Sequence, residues 1–227
     1  MKEKQTIASK NSAPNFRKDK PNTDHHAGNV ITMRGDSGEM YVFGGKAKND
    51  ISTGSGDDVI DAGGGDDVIR SGAGKDFIVG GPGNDVLDGG KDDDYLMGDE
   101  GDDCYYFSPG DGADDIYEIG GNDTALLDGF SKTKLRVRRV NDNLEISQAG
   151  STDKITISQW FLGEKYQVEN ILCRDETATI YKLDITRIMP RLLQGMASFS
   201  PTADNQFGAS DYFQPPLAIA TTTPNFW

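Results

Sequence analysis

The chain has 227 residues, enough for one or two modest domains, and carries a formal net charge of −14. Residues 44–118 hold 20 of its 37 acidic residues but only 5 of its 23 basic residues, so the rest is nearly neutral. Binding to nucleic-acid phosphates requires the opposite charge, and no apolar run is long enough to span a membrane. The composition therefore argues against a nucleic-acid partner and against a transmembrane segment.

Residues 1–34 are polar and rich in Lys, Asn and Pro. Such a segment buries too little apolar surface to become ordered, so we predict a disordered leader. It contains no hydrophobic h-region and is therefore not a secretory signal peptide.

From Gly44 to Tyr106 the sequence repeats every nine residues, with the consensus G-G-x-G-x-D-x-U-x, in which U is large and apolar. Glycine stands where a turn needs positive φ or a close backbone approach, and the last three positions predict a short strand. A disordered Gly/Asp-rich linker would have no reason to keep an apolar residue at every ninth position. The units are GGKAKNDIS, TGSGDDVID, AGGGDDVIR, SGAGKDFIV, GGPGNDVLD, GGKDDDYLM and GDEGDDCYY.

This consensus resembles the calcium-binding nonapeptide repeat of RTX proteins. The resemblance implies an all-β fold, a parallel β-roll in which two units make one coil and strands alternate between two sheets. Turns two units apart then lie directly above each other, about 4.8 Å apart. We expect the roll to cover residues 35–121, from a loose unit with Met40 in the acidic position to a closing coil that contains Asp114.

The stacking places the carboxylates at position six of each unit in columns. Two such charges about 4 Å apart repel by roughly 4 kcal/mol at an effective dielectric constant of 20, so the columns oppose folding until a cation separates them. Oxygen ligands favour Ca²⁺ over Mg²⁺, which requires a tighter octahedron, and no Cys/His set has the spacing of a zinc site. Ca²⁺ is therefore the predicted cofactor. Its predicted ligands are Asn49, Gly54, Gly56, Asp58, Gly63, Gly65, Asp67, Gly72, Gly74, Asp76, Gly81, Gly83, Asp85, Gly90, Asp94, Asp103 and Asp114.

The ends of the array depart from the consensus. Asn49 occupies the acidic position of the first unit and Ala47 replaces a glycine, while Asp92 and Asp99 replace glycines in the last two units. We expect tight sites in the middle of the array and weaker sites at its ends.

Residues 122–184 lose the Gly/Asp bias and show alternating apolar residues in LRVRRV, DNLEIS and DKITIS, separated by turn residues. This pattern predicts a small antiparallel β segment that caps the open end of the roll. In residues 185–227 we predict a short amphipathic helix interrupted at Pro190, followed by a loosely ordered tail. Cys104 and Cys173 are too few for a disulfide framework, and we predict two free thiols.

The repeats, together with FSPGDGADDIY, NDNLEI, DKITISQWF and VENI, resemble the C-terminal third of RTX cytolysins such as haemolysin-type toxins. The resemblance implies a secreted, extracellular protein exported unfolded by a type I secretion transporter, with an uncleaved export signal in residues 185–227. A host cell surface would then be a further partner. Secreted lipases, serralysin-type proteases, alginate epimerases and adhesins carry similar rolls.

The sequence contains no H-E-x-x-H motif and no G-x-S-x-G elbow, and both histidines lie side by side in the leader. Aspartates that recur every nine residues are typical of a column rather than of a catalytic pair. We therefore predict that the chain is not an enzyme. Two main functions remain open: a calcium-folded secretion module of a toxin or exoprotein, and a free-standing extracellular, adhesin-like binding protein. A third is a small partner that regulates a neighbouring exoprotein.

Overall fold

The structure, a computed structural model, describes residues 22–23, 30–32 and 38–193, with side-chain detail for residues 38–190. Most of the predicted leader and the predicted tail after residue 193 lie outside the described residues. The strands are β1 (Asn22–Thr23), β2 (Val30–Thr32), β3 (Tyr41–Phe43), β4 (Asp50–Ser52), β5 (Val59–Asp61), β6 (Val68–Ala73), β7 (Phe77–Val79), β8 (Val86–Lys91), β9 (Tyr95–Met97), β10 (Cys104–Phe107), β11 (Ala113–Tyr117), β12 (Thr124–Asp128), β13 (Leu135–Val140), β14 (Asn143–Gln148), β15 (Lys154–Ile157), β16 (Asn170–Arg174) and β17 (Ile180–Lys182).

Successive strands alternate between two sheets, as expected for a parallel roll. The first sheet has the order β1-β3-β5-β7-β9-β11-β15-β14-β13, and the second has the order β17-β16-β12-β10-β8-β6-β4-β2. Neighbours from β1 to β11 in the first sheet, and from β2 to β12 in the second, pair in parallel. The predicted fold class, an all-β parallel roll with an antiparallel segment at its end, is confirmed.

The interior of the roll is a stack of the apolar residues at position eight. Each of these side chains is fully buried, because the two sheets face each other and each strand contributes one inward residue. The stack is Ile51, Ile60, Ile69, Ile78, Leu87, Leu96 and Tyr105, extended by Val42 at one end and by Ile116 and Ala125 at the other.

The parallel stacking extends beyond the expected bounds at both ends. Strands β1 and β2 lie inside the segment predicted to be a disordered leader, and they pair in parallel with β3 and β4. These five residues add backbone hydrogen bonds to the first coil, and the bounds of the leader stay a prediction. At the other end β12 pairs in parallel with β10 and with β16, and β15 pairs in parallel with β11.

The antiparallel segment continues the two sheets rather than forming a third. Strands β13, β14 and β15 form an antiparallel meander at the edge of the first sheet, and β16 and β17 form a hairpin at the edge of the second. Two 3₁₀ helices, Trp160–Leu162 and Glu164–Tyr166, connect the two edges, and Trp160 is buried. The end of the parallel stack is thus covered by chain that is hydrogen-bonded to it.

A helix, α1 (Ile185–Leu193), follows the last strand and continues through Pro190, so the predicted interruption is wrong. Proline removes its own N–H donor and its ring crowds the carbonyl of Thr186, which costs stability without ending this helix. Ile188 on this helix is fully buried in the core. Within the described residues, no helix is long and apolar enough to cross a membrane.

Candidate metal centre

The turns of the roll bring the residues at position six into two buried columns. The A-column precedes strands of the first sheet and contains Asp58, Asp76, Asp94 and Asp114. The B-column precedes strands of the second sheet and contains Asn49, Asp67, Asp85, Asp103 and Asp123. All nine side chains are at most 4% exposed.

One oxygen of each carboxylate holds successive turns together. The backbone N–H of each column member, except the last of each column, donates to Oδ1 of the member in the next coil, with N–O distances of 2.6–3.0 Å. Met40, which occupies the acidic position of the loose first unit, donates in the same way to Asp58 at 2.9 Å. The turns are therefore in register for all the residues predicted as side-chain ligands.

The other oxygen of most carboxylates has no protein partner. Oδ2 is buried and without a hydrogen bond in Asp67, Asp76, Asp85, Asp94, Asp103 and Asp123. A buried polar atom almost always has a hydrogen-bond partner, and a buried charge needs a counter-charge. Six such oxygens, repeated along two columns, indicate positions where a cation belongs.

The glycines make room for these oxygens. A Cβ placed on Gly80, Gly89 or Gly98 would lie only 2.2–2.3 Å from Oδ2 of the aspartate in the same unit. At position two, Gly81 has φ +94° and lies so close to the coil before it that a Cβ would be 2.0 Å from the Gly63 carbonyl oxygen. All the predicted glycines lie in these stacked turns, beside the columns.

Burial makes the columns costly to ionise without a cation. It raises the pKa of Asp85 and Asp94 to about 8, that of Asp103 and Asp114 to about 7, and that of Asp67 and Asp76 to about 6. Backbone N–H donors to Oδ1 oppose the shift, and neighbouring aspartates add to it in the central positions. Each raised pKa means that the metal-free fold favours the protonated, uncharged acid.

The donor set fits calcium. The columns offer carboxylate oxygens and glycine-rich backbone, which are the ligands that hard divalent cations prefer, with no histidine or thiolate among them. Cys104 and Cys173 are free and buried, and burial raises the pKa of each thiol to about 12. A calcium ion between turns would neutralise the facing carboxylates and use the oxygens that have no hydrogen bond.

Comparison with known families agrees with this chemistry. The profile of the RTX calcium-binding nonapeptide repeat matches residues 43–78 and 71–103. Residues 43–103 are an RTX calcium-binding repeat array. Residues 143–171 match the haemolysin-type calcium binding protein related domain.

Two further comparisons concern whole chains. No curated protein matches this chain. The crystal structure of the extracellular lipase LipA from Serratia marcescens is similar over 59% of this chain, with 15% sequence identity and a TM-score of 0.26. The similarity spans 38% of the lipase chain, so this chain spans well under two thirds of the length of that relative.

The RTX array is least regular where its sequence departs from the consensus. Asn49, at the first acidic position, turns its side-chain amide to the Ala47 carbonyl and to Asp67. Asp92 and Asp99 replace glycine and are held at φ 79° and 81°, a conformation that L-residues adopt at a cost. The weaker terminal sites expected from the sequence remain a prediction.

Sequence reasoning missed two members of the B-column region, Glu118 and Asp123. Both are fully buried, and Asp123 receives the backbone N–H of Asp103 as any regular repeat residue would. The sequence does indicate Asp123, because this residue stands nine positions after Asp114 and ends the stretch Gly-Gly-Asn-Asp. A two-residue insertion between Asp103 and Asp114 hides this register. Glu169, the residue before β16, then accepts the N–H of Asp123 at 2.8 Å.

Proposed function

We propose that calcium drives the folding of this RTX roll after export, and that this folding supports type I secretion and extracellular assembly of a toxin or exoprotein. The proposal rests on one observation above all. Six buried carboxylate oxygens without hydrogen bonds lie along two columns, so the ionised roll gathers negative charge that bound cations offset.

The same negative charge makes the folding of the chain depend on the calcium concentration of the compartment. Where free calcium is scarce, the acidic repeats repel each other and the unfolded chain is favoured, which suits passage through a transporter. Where calcium is plentiful, ions that bind only the folded roll shift the equilibrium towards it. The match of residues 143–171 to a haemolysin-type calcium binding protein related domain supports this context. The transporter, the toxin context and the extracellular location belong to the proposal.

The decisive experiment is a calcium titration of the metal-free chain, followed by circular dichroism, calorimetry and small-angle scattering. We expect a coil-like spectrum and an expanded chain in chelator, and a compact, sheet-rich chain in millimolar calcium. Calorimetry gives the number of ions bound. A compact sheet-rich chain in excess EDTA at about pH 8.5, where the column carboxylates are ionised, would overturn the proposal.

A second candidate is an extracellular calcium-dependent binding protein, and an exposed aromatic face favours it. On the first sheet the rings of Phe77 and Tyr95 stack with centroids 5.0 Å apart, and Tyr117 stacks on Tyr95 at 6.5 Å. Phe77 and Tyr41 each expose about two fifths of their surface, and rings in this position could stack on sugar faces. Replacing Phe77 by Thr should then reduce binding to host cells, while secretion and calcium binding remain.

The repeat segments themselves are calcium-binding rather than catalytic. We extend this to the whole chain and propose that it contributes no catalytic step of its own. An activity screen of the calcium-loaded chain against ester, peptide and glycan substrates tests this part of the proposal.

A further inference from the structure

A cluster of three acidic side chains lies at the end of the B-column, beyond the regular repeats. One carboxylate oxygen from each of Asp103, Glu118 and Asp123 lies within 4.8 Å of the other two. All three residues are at most 2% exposed. Within the described part of the chain, none of the ion pairs brings a basic side chain to them.

The cluster also contains oxygens without partners. Oδ2 of Asp103 and Oδ2 of Asp123 are buried and make no hydrogen bond. The Tyr105 hydroxyl accepts the backbone N–H of Gly98 at 2.8 Å and donates to Oε1 of Glu118, which holds that glutamate in place. Oε2 of Glu118 accepts the N–H of Ile119 at 3.1 Å.

Glu118 is the feature that separates this cluster from the other turns. It occupies position one of its unit, where the earlier turns of this stack have Gly44, Ala62, Gly80 and Gly98. At Gly80 and Gly98 the missing side chain leaves space beside the aspartate oxygen. At Glu118 a third carboxylate points into the cluster instead.

We propose that Asp103, Glu118 and Asp123 form a separate calcium site, with more negative charge than the sites of the regular repeats. The inference rests on the calcium-dependent folding proposed above and extends it to residues outside the repeat consensus. Three carboxylates bind a hard divalent cation more tightly than two, because affinity rises with ligand charge. This site is therefore the first to fill.

The position of the site gives it a structural consequence. Asp123 also donates its N–H to Glu169, and its carbonyl accepts the N–H of Asn170, so the site adjoins the start of β16. An ion here holds the last RTX coil in register with the strand that covers it. We expect the first ion bound to order this end of the roll.

The test compares the wild-type chain with Glu118→Gln and with a matched control, Glu100→Gln, which changes an exposed glutamate at position three of the unit that contains Asp103. Glutamine keeps the acceptor for Tyr105 and removes the charge, while its amide nitrogen replaces the oxygen that accepts the N–H of Ile119. After dialysis at micromolar free calcium, E118Q should retain one ion fewer per chain, with at least about a tenfold weaker first site. E100Q should match the wild type.

Terbium luminescence provides an independent readout, because a tyrosine close to the ion sensitises its emission. At less than one equivalent of terbium, emission excited through tyrosine should be strong in the wild type and weak in E118Q and in Tyr105→Phe. If E118Q does not fold in saturating calcium, Glu118→Gly restores the residue found at Gly98 and should fold with one tight ion lost. If neither Glu118 variant folds, the terbium emission of the wild type is compared with that of Y105F. Weak emission in Y105F supports the site, and equal emission in the two chains contradicts it.

An unchanged ion count and an unchanged first site in E118Q would overturn the inference and leave Glu118 as a protonated core acid bonded to Tyr105. That result would leave calcium-driven folding intact. A wild-type chain that is folded in chelator at about pH 8.5 would instead defeat the proposed function, and loss of one ion in E118Q would still support the site.

Discussion

The backbone N–H of Asp103 donates a 2.9 Å hydrogen bond to Oδ1 of Asp123, although these residues are 20 rather than 18 positions apart. Asp94 and Asp114 are related in the same way, at 3.0 Å. The columns thus continue across a two-residue insertion, because an insertion that bulges from a turn leaves the stacking of the next turn unchanged. The buried charge extends as far as the antiparallel segment.

Removing one column carboxylate should weaken calcium-driven folding. Asp76 lies between Asp58 and Asp94 in the A-column, and its Oδ2 has no hydrogen bond. In Asp76→Asn, the calcium ions above and below this residue each lose one charged ligand. We expect the calcium midpoint, measured by circular dichroism, to rise by roughly tenfold.

The matched control is Asp61→Asn, which alters an exposed aspartate at position nine of the unit that contains Asp58. It should shift the midpoint by less than about twofold, as is usual for a surface charge. Equal shifts in the two variants would show that the column does not hold the ions.

Acid should partly replace calcium in the metal-free chain. The pKa of Asp85 and Asp94 is raised to about 8 by burial, above the ordinary value of 3.8 that applies to the unfolded chain. This contribution to the stability of the metal-free fold is complete below about pH 4 and is lost as the pH rises through about 8. In EDTA, sheet content should therefore increase as the pH is lowered from about 8.5 to about 5.

In the presence of calcium the sign is reversed, because the ion binds only the ionised carboxylates. The calcium midpoint should move to higher concentrations at about pH 6 than at about pH 8. The double variant Asp85→Asn/Asp94→Asn should flatten the pH dependence seen in EDTA. If the change of sheet content with pH in EDTA is the same in the double variant, the pH dependence arises from the net charge of the chain rather than from these two aspartates.

Close stacking of the turns should make Gly81, at position two of its unit, costly to replace. In Gly81→Ala the new Cβ would meet the Gly63 carbonyl oxygen at 2.0 Å, in addition to the strain of φ +94°. Gly150→Ala is the control, since Gly150 has φ +86° but nothing within 4 Å of the added atom. Urea unfolding in saturating calcium should show about 1–2 kcal/mol lost in G150A, and about 1–3 kcal/mol more in G81A.

Truncation should separate export from folding. A chain that ends after residue 193 keeps α1 and its buried Ile188, so it should still fold with calcium but should no longer leave a cell that carries the matching type I transporter. A chain that ends after residue 184 should lose export as well and about 2 kcal/mol of stability, because Ile188 is removed from the core. Export of either truncated chain, measured against a strain without the transporter, would place the signal elsewhere.

Much of the fold was predictable because the glycine, acidic and apolar positions of the nonapeptide repeat all indicate the same stacked turns. An apolar residue at every ninth position requires stacking, and Ile60 and Ile78 are fully buried for that reason. The acidic columns follow from the same period, so the placement of Asp67 beside Asp85 and of Asp76 beside Asp94 was accessible from spacing alone. Strands β1 and β2 were not accessible, because Asn22 and Val30 pair with the roll through backbone groups that every residue carries.

The amino-acid sequence by itself determined the roll and its register, since a strict period of nine allows one arrangement of turns and strands. The same period stacks the acidic residues, and this stacking predicts bound calcium. Only the tertiary structure decided where the roll ends and which acids join it. Glu169 lies outside the period, and Glu118 stands where earlier turns have glycine or alanine. Both meet the B-column because β12 and β16 add to the second sheet in parallel. A local pattern specifies contacts that repeat, whereas contacts made once, between distant segments, depend on how the whole chain packs.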